Sequence, residues 1–472
     1  MLDSQKTYKI TNLLPQFLND VPEIIRAFQP YIKISDDGDD LILKFSYVEA
    51  QDYHVFELLI DNQVVKLDVL LKLDDINLLD AKSRSKKLIK NFLYQYFSKR
   101  LGVKLEYGSL TGVRPLSIAY RQQIPKDEVE DYLIKNFFVS KRKAKLINDV
   151  HTNQIGFYNP SDNKIDLFVN IPICKTKCKY CSFPTEILTK ASDILEMYIK
   201  CVLSEIELKK ELLTNHEIEN IYVGGGTPTC IPDFLLERLL KELSTLIVKG
   251  HEFTIEAGRP DSISLENLNL MANYNVSRVS VNPQTFKEET LISIGRNHDS
   301  QSIYDAYYLA KLFPFDINMD LIAGLPGEKI DDFMFSLDKV IELSPANITV
   351  HSLSIKKGSA LMEVNSKKDV SGLVSEMVDY SQFKLYKNGY IPYYMYRQKN
   401  TFDNLENVGY CKPGKQCRYN INYMEETNTV IGIGAGAMSK FVFNDINRIE
   451  RTRNKKNIEL YIKDILSFTQ GY

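Results

Sequence analysis

The sequence predicts an α/β protein built round a parallel sheet, and three observations carry that prediction. Between Ile165 and Leu353, short β-branched runs alternate with stretches of helical periodicity, and strands joined by helical crossovers pair in parallel. The regions before and after have a different rhythm. The residues best suited to chemistry fall at the ends of the short runs, where parallel sheets gather their sites.

The 472-residue chain is long enough for two or three domains at about 150 residues each. Residues 1–160 predict an α+β domain. LILKFSYVEAQDYHVFELLIDNQVVKLDVLLK (41–72) alternates as two or three antiparallel strands. The stretch 81–102 puts Leu88, Ile89, Phe92, Leu93 and Phe97 at helical spacing. Its basic opposite face reads as a solvated surface in preference to a nucleic-acid patch. A second helical region covers 126–150.

The central region, 161–365, holds six strands: 165–172, 220–226, 252–258, 278–285, 316–325 and 347–353. Helices are expected at 193–213, 232–247, 264–274, 301–313 and 329–343. This pattern fits either a doubly wound sheet or an incomplete barrel. The last region, 366–472, predicts a helix at 373–388, a polar loop rich in Gly and Asn, the run GIGAGAMSK (432–440) and a closing helix in RNKKNIELYIKDILSF.

Apolar residues make up 44% and charged residues 25%, with a net charge of -2, so bulk electrostatics give no strong pull toward nucleic acid or membrane. No apolar run reaches the ~20 residues of a membrane span. MLDSQKTYKITNLLPQFLND lacks the apolar core of a secretory signal, so a cytoplasmic protein is expected. Seven cysteines, an odd number in a long chain, point to a reducing compartment, not a disulfide framework.

Three of those cysteines form CKTKCKYC (174–181), directly after the first strand. Thiolates at Cys174, Cys178 and Cys181 can ligate three irons of a [4Fe–4S] cube and leave the fourth without a protein ligand. An open iron suits the amino and carboxylate groups of S-adenosylmethionine (SAM). A structural zinc site wants four closed ligands, and no second cysteine pair stands nearby. Unligated core thiols are the other alternative, but Lys175, Lys177 and Lys179 between them do not look like core. GGGTPT (224–229) ends the second strand, where consecutive glycines let a ligand approach the backbone. Glu256, Gln284 and Asp320 lie at or near the ends of the third, fourth and fifth strands, and Arg296 can meet a carboxylate.

Other features read as structural. His351 after the sixth strand is either a ligand or a hydrogen-bonded histidine, the second being the commoner role. GIGAGA lacks the spacing of a dinucleotide fingerprint. Cys411 and Cys417 read as free thiols in preference to a second site.

Together, FVNIPICKTKCKYCSF, GGGTPT, TIEAGRP, NPQTF, GRNHD and MDLIAGLPGE resemble the radical SAM superfamily, and more narrowly the oxygen-independent coproporphyrinogen III oxidase family. LTGVRP (110–115), RQKNTFDNLENVGYCKPGKQCRYN (397–420) and GIGAGAMSK are similar to its HemZ branch. The resemblance implies a partial (β/α)6 TIM-like radical SAM barrel with an N-terminal α+β domain and a C-terminal α+β extension. It implies a [4Fe–4S] cluster on Cys174, Cys178 and Cys181, and SAM held by Gly225, Gly226, Thr227, Glu256, Gln284, Arg296 and Asp320, with Tyr180 and Phe168 nearby.

The implied activity is oxidative decarboxylation of two coproporphyrinogen III propionates to vinyl groups in haem biosynthesis. A reducing electron donor such as flavodoxin or ferredoxin is the implied protein partner. Arg259, three residues after Glu256, is the expected contact for a substrate carboxylate. Two positions depart from the oxidase pattern. Phe168 stands where the oxidase has Tyr, and Phe183 stands where it has a further Cys. The second departure resembles the HemW haem-chaperone branch, so a haem-transfer role is the alternative.

Overall fold

In the computed structural model, residues 7–11, 20–28, 33–35, 40–50, 53–60, 63–70, 78–355, 358–363, 372–397, 405–444 and 448–469 are described. The chain divides into two compact units, Met1–Asn148 and Asp149–Tyr472. Part of the expected polar loop, 398–404, lies outside the described residues, as does 366–371.

The first unit is α+β. Its five-stranded sheet contains an antiparallel meander, Asp40–Ala50, Tyr53–Ile60 and Gln63–Leu70. A parallel strand, Thr7–Thr11, adds to its edge. A 24-residue helix, Leu78–Leu101, follows and buries Ile89, Leu93 and Phe97 at helical spacing.

The second unit is α/β, around one 11-stranded sheet. Its centre is six parallel strands in chain order: β1 (Lys164–Ile171), β2 (Glu217–Gly225), β3 (Glu252–Ile255), β4 (Arg278–Ser280), β5 (Asp316–Ala323) and β6 (Asn347–Ser352). Each neighbours the next, with none of the order reversal that defines a doubly wound sheet. Helical crossovers α1 (Leu188–Leu208), α2 (Asp233–Leu246), α3 (Leu265–Asn273), α4 (Ser300–Ala310) and α5 (Ile330–Leu343) connect them. Several start on capping residues. Ser264 and Asn267 form a capping box on α3, and Asp299 accepts from the Ser302 amide on α4, each worth about 1 kcal/mol.

The C-terminal residues do not form a unit of their own. They extend the same sheet at both edges. Following helix α6 (Leu373–Lys387), β7 (Ile391–Arg397) and β8 (Glu406–Cys411) add beyond β6, with β8 antiparallel to it. Beyond β1 come β9 (Thr429–Ile433), parallel to it, then β10 (Met438–Phe443) and β11 (Arg448–Arg453). The separate C-terminal domain expected at 366–472 is therefore corrected: its strands need the central ladder to satisfy their backbone groups. The first boundary also falls earlier, at 148/149 instead of 160/161.

GIGAGA turns out to be a packing device. Gly434 donates its amide to Glu205, Ala435 to Tyr198, and a Cβ on Gly434 would press into the Asn170 carbonyl beside the cysteine loop. With those amides occupied, no phosphate cradle is left.

The start of the sheet is filled by α7 (Arg418–Glu425) and by aromatic side chains. Tyr393, Tyr394, Cys411, Cys417, Tyr419, Ile421 and Val430 form a buried cluster against which Phe168 and Tyr222 pack. Tyr222 and Tyr419 stack with centroids 4.5 Å apart. The closing helix, α8 (Ile458–Thr469), packs on α1, and its Tyr461 hydroxyl donates to the same Glu205 at 2.7 Å. No helix among the described residues is long and apolar enough to cross a membrane.

Candidate functional site

The three cysteines sit on the loop that leaves β1. A short parallel bridge, Ile173–Cys174 with Glu186–Ile187, closes the loop at its base. Its tip is pinned from two sides: the Lys179 amide donates to Ile294, and the Lys179 carbonyl accepts from Ser359 and Leu361. The Cys181 amide turns back to the Cys178 carbonyl at 3.0 Å. Lys175, Lys177 and Lys179 are exposed, whereas Cys178 is buried and Cys174 and Cys181 are half-buried.

All three thiols are free of disulfides. Burial pushes the Cys174 and Cys181 thiols up, and the charge of neighbouring cysteines pushes them further. Iron relieves that repulsion by binding the thiolates. Among the described residues no group of three or more His, Cys, Asp or Glu side chains is gathered tightly enough to hold a single metal ion. A cube puts each thiolate on a different iron, so its ligands stand further apart than those of one ion. The thiol tripod fits the cluster better than it fits zinc.

The glycine run lies against this loop. Gly225 has φ +98°, and a Cβ there would collide with the Asn170 side chain; one on Gly226 would meet the carbonyls of Ile171 and Ile173. The Gly226 and Thr227 amides donate to those carbonyls at 2.9 and 2.7 Å. The Thr227 hydroxyl reaches the Cys174 Sγ at 3.5 Å.

Glu256 follows β3 and is half-buried. Its carboxylate accepts from the Tyr222 hydroxyl at 2.5 Å and from the Gly225 amide at 3.2 Å. Burial raises its pKa, and the nearby Asp320 charge adds to that, against the hydrogen bonds from Tyr222 and Gly225. Asp320 on β5 behaves the opposite way. Burial pushes it up, but hydrogen bonds from His351, Asn318 and Thr349 bring it below the usual carboxylate range. His351 stands between Asp320, 3.7 Å away, and the Tyr396 hydroxyl, 3.5 Å away.

Gln284 is the most constrained residue. Its φ of +67° is rare for a side chain with a Cβ. Two backbone bonds to β5 hold it there: its amide to the Asp320 carbonyl at 2.9 Å, and its own carbonyl from the Ile322 amide at 3.0 Å. Its side-chain oxygen is buried without a partner. Arg296, also buried, donates to the Asn282 carbonyl at 2.6 Å and to the Tyr180 hydroxyl at 3.1 Å, and its Nε is unpartnered. Buried polar atoms without partners mark places built for a ligand or a water. Tyr180 thus belongs to the arginine's environment and links it to the cysteine loop.

Two expected contacts stand elsewhere. Phe168 faces the aromatic cluster, its ring 6.3 Å from that of Tyr222, so it supports the site from below. Arg259 is no open substrate contact. It is 3% exposed and forked onto Asp261 at 2.9 and 3.1 Å, with Nη1 reaching the Thr176 carbonyl and the Cys178 Sγ. Four of its five N–H donors are engaged and the group is buried, so it offers no open fork to a propionate carboxylate. Sequence reasoning missed Tyr222, Asn282 and Asn318, which orient Glu256, Arg296 and Asp320. Strand periodicity carried the signal: Tyr222 shares a face with Gly224, and Asn318 with Asp320.

A cysteine tripod at the ends of parallel strands, beside a glycine turn and inward-facing Glu, Gln, Arg and Asp, defines a protein that binds an iron–sulfur cube with one open iron. The comparisons agree. The family model of the radical SAM superfamily matches residues 170–340. The oxygen-independent coproporphyrinogen-III oxidase-like protein HemZ of Bacillus subtilis is 36% identical over 395 residues, 79% of this chain and 78% of that protein. The haem chaperone HemW of Escherichia coli is 28% identical over 62% of this chain and 74% of its own. The solved coproporphyrinogen III oxidase (HemN) of Escherichia coli superposes with a TM-score of 0.53 at 20% identity, covering 65% of this chain and 70% of that one, a likeness of fold.

The chain belongs to the radical SAM superfamily and, within it, to the HemZ-type branch of the oxygen-independent coproporphyrinogen III oxidase family. The cofactors of that family are a [4Fe–4S] cluster and SAM.

Proposed function

We propose that this protein oxidatively decarboxylates propionate side chains of coproporphyrinogen III to vinyl groups, each losing a β-hydrogen atom, CO2 and one electron, the electron passing to an external one-electron acceptor. The cluster and SAM, when bound, supply the reductive cleavage from which the hydrogen-abstracting power comes. Cys174, Cys178 and Cys181 hold the cluster. The Gly225–Gly226 turn and Arg296 orient the methionine end of SAM, while Asp320 and Glu256 accept from its hydroxyl and amino groups. The Gln284 side-chain oxygen is a further acceptor. An electron donor of flavodoxin or ferredoxin type reduces the cluster.

The observation that carries the reading is Gln284, locked in a left-handed conformation by backbone bonds to Asp320 and Ile322, with a buried, unpartnered side-chain oxygen. The extent of similarity to the HemZ protein supports the porphyrinogen substrate. One observation favours a second reading, haem transfer. Phe183, at the position of the oxidase's further cysteine, is 63% exposed beside the ligand loop, and HemW haem chaperones are also relatives.

Anaerobic incubation with SAM, a reductant and coproporphyrinogen III separates the two. Divinyl product by mass spectrometry supports the oxidase. Tight haem binding with no decarboxylated product overturns it in favour of the carrier.

A further inference from the structure

The arginine that is closed to substrate points to another role. Arg259 sits immediately before a 3-10 turn, Pro260–Ser262, and that turn brings Asp261 under its guanidinium. Nε and Nη2 are spent on the Asp261 carboxylate, and Nη1 is shared between the Thr176 carbonyl at 3.4 Å and the Cys178 Sγ at 3.5 Å. Four of the five N–H donors are therefore assigned, and one is aimed at a thiol of the tripod. Across the tripod, the Thr227 hydroxyl is 3.5 Å from the Cys174 Sγ. Arginine stays protonated at any working pH, and this one is removed from solvent screening.

We propose that Arg259, held by Asp261, and to a lesser degree Thr227, set the reduction potential of the cluster by donating hydrogen bonds to its ligand sulfurs. This rests on the reading that Cys174, Cys178 and Cys181 carry the cube. Reduction adds negative charge to the cube and its thiolates. A buried cation and N–H donors on those sulfurs stabilise the reduced form more than the oxidised one and raise the potential. Arg259 acts through Cys178 and is a positioning residue. Asp261 fixes the fork so that one edge faces sulfur. The device would keep the cluster reducible by a physiological donor despite its enclosed, thiolate-rich surroundings.

The test is an EPR-monitored redox titration of the anaerobically reconstituted full-length protein and of Arg259→Gln, Arg259→Lys and Thr227→Val, with iron and sulfide content measured on each. Arg259→Gln should lower the reduction equilibrium constant about tenfold, equivalent to about 59 mV for a one-electron couple. Arg259→Lys, which keeps the charge and loses the fork, should recover part of that shift. Thr227→Val should show a smaller fall. Should Arg259→Gln lose the cluster, the other two variants still read the effect. Potentials identical to wild type in the loaded variants overturn the inference and leave the cluster assignment standing. A wild-type protein that takes up no cube sinks the cluster assignment and this inference together.

Discussion

The two ends of strand β3 carry the same side chain in opposite circumstances. At its start, Glu252 lies in a charged network. Arg278 is 3.6 Å from it and 3.5 Å from Asp316, and bonds Asn347 and the Lys415 carbonyl; Lys415 in turn holds Asp316 at 2.7 Å. Glu252 also accepts from the Cys417 thiol at 2.9 Å and the Arg418 amide at 3.0 Å, which seats α7 under the sheet. Four residues later, Glu256 has only a tyrosine hydroxyl and a glycine amide. At the start most charges are paired within the chain, although the Arg278 Nε and one Asp166 oxygen stay unpartnered; at the other end Glu256 has no ion pair among the described residues, and the Gln284 amide oxygen and the Arg296 Nε are buried without partners. Parallel α/β sheets divide stability and chemistry between their two ends in this way.

Substitutions at the two ends should therefore fail differently. The largest effect is expected from Cys178→Ala: reconstitution should give no intact [4Fe–4S] cube, seen as loss of the thiolate-to-iron absorption and of bound sulfide, with circular dichroism unchanged. Next is Arg278→Ala. It strands the largely buried Glu252, while Asp316 keeps Lys415, and should cost about 3–5 kcal/mol in urea unfolding. Cluster content in the protein that remains folded should be normal. A cluster lost in step with stability would erase the contrast between the ends.

The smallest effect sharpens the comparison by its sign. The folded pKa of Glu256 is raised by burial, so its ionised form opposes folding at pH values above its unfolded pKa. Glu256→Gln should leave unfolding stability at pH 7 equal to or above that of wild type, with any gain shrinking as pH falls toward the ordinary carboxylate range. The same variant should weaken SAM binding by about 2 kcal/mol, roughly thirtyfold, by isothermal titration. A destabilised Glu256→Gln with normal SAM affinity would assign this carboxylate to the scaffold.

Much of this was legible in the sequence. All six parallel strands and their crossovers fall where β-branched runs and helical periodicity put them, because each parallel strand is covered on both faces and reads as an apolar run. Strands three and four ended early, at Ile255 and Ser280 instead of 258 and 285. Beyond those ends, Gly258 and Gln284 adopt positive φ and break the extended backbone, which a strand pattern does not reveal. The cysteine tripod was readable from spacing alone. The function of Arg259 was not. Its sequence position places it at the sheet edge with the ligand-facing residues, and only Asp261, two residues on, shows that its fork is already taken. The role of the C-terminal region was also hidden, since joining a sheet at both edges is a matter of long-range pairing that local periodicity does not encode.

The central claim is a three-thiol cube with an open iron beside a SAM cradle. It is tested most directly by adding SAM to the reduced, anaerobically reconstituted protein while recording its EPR spectrum and then assaying for 5′-deoxyadenosine. The account predicts a changed spectrum on SAM addition and formation of 5′-deoxyadenosine with methionine. A reduced cluster whose spectrum SAM leaves untouched, with no 5′-deoxyadenosine formed, would contradict it.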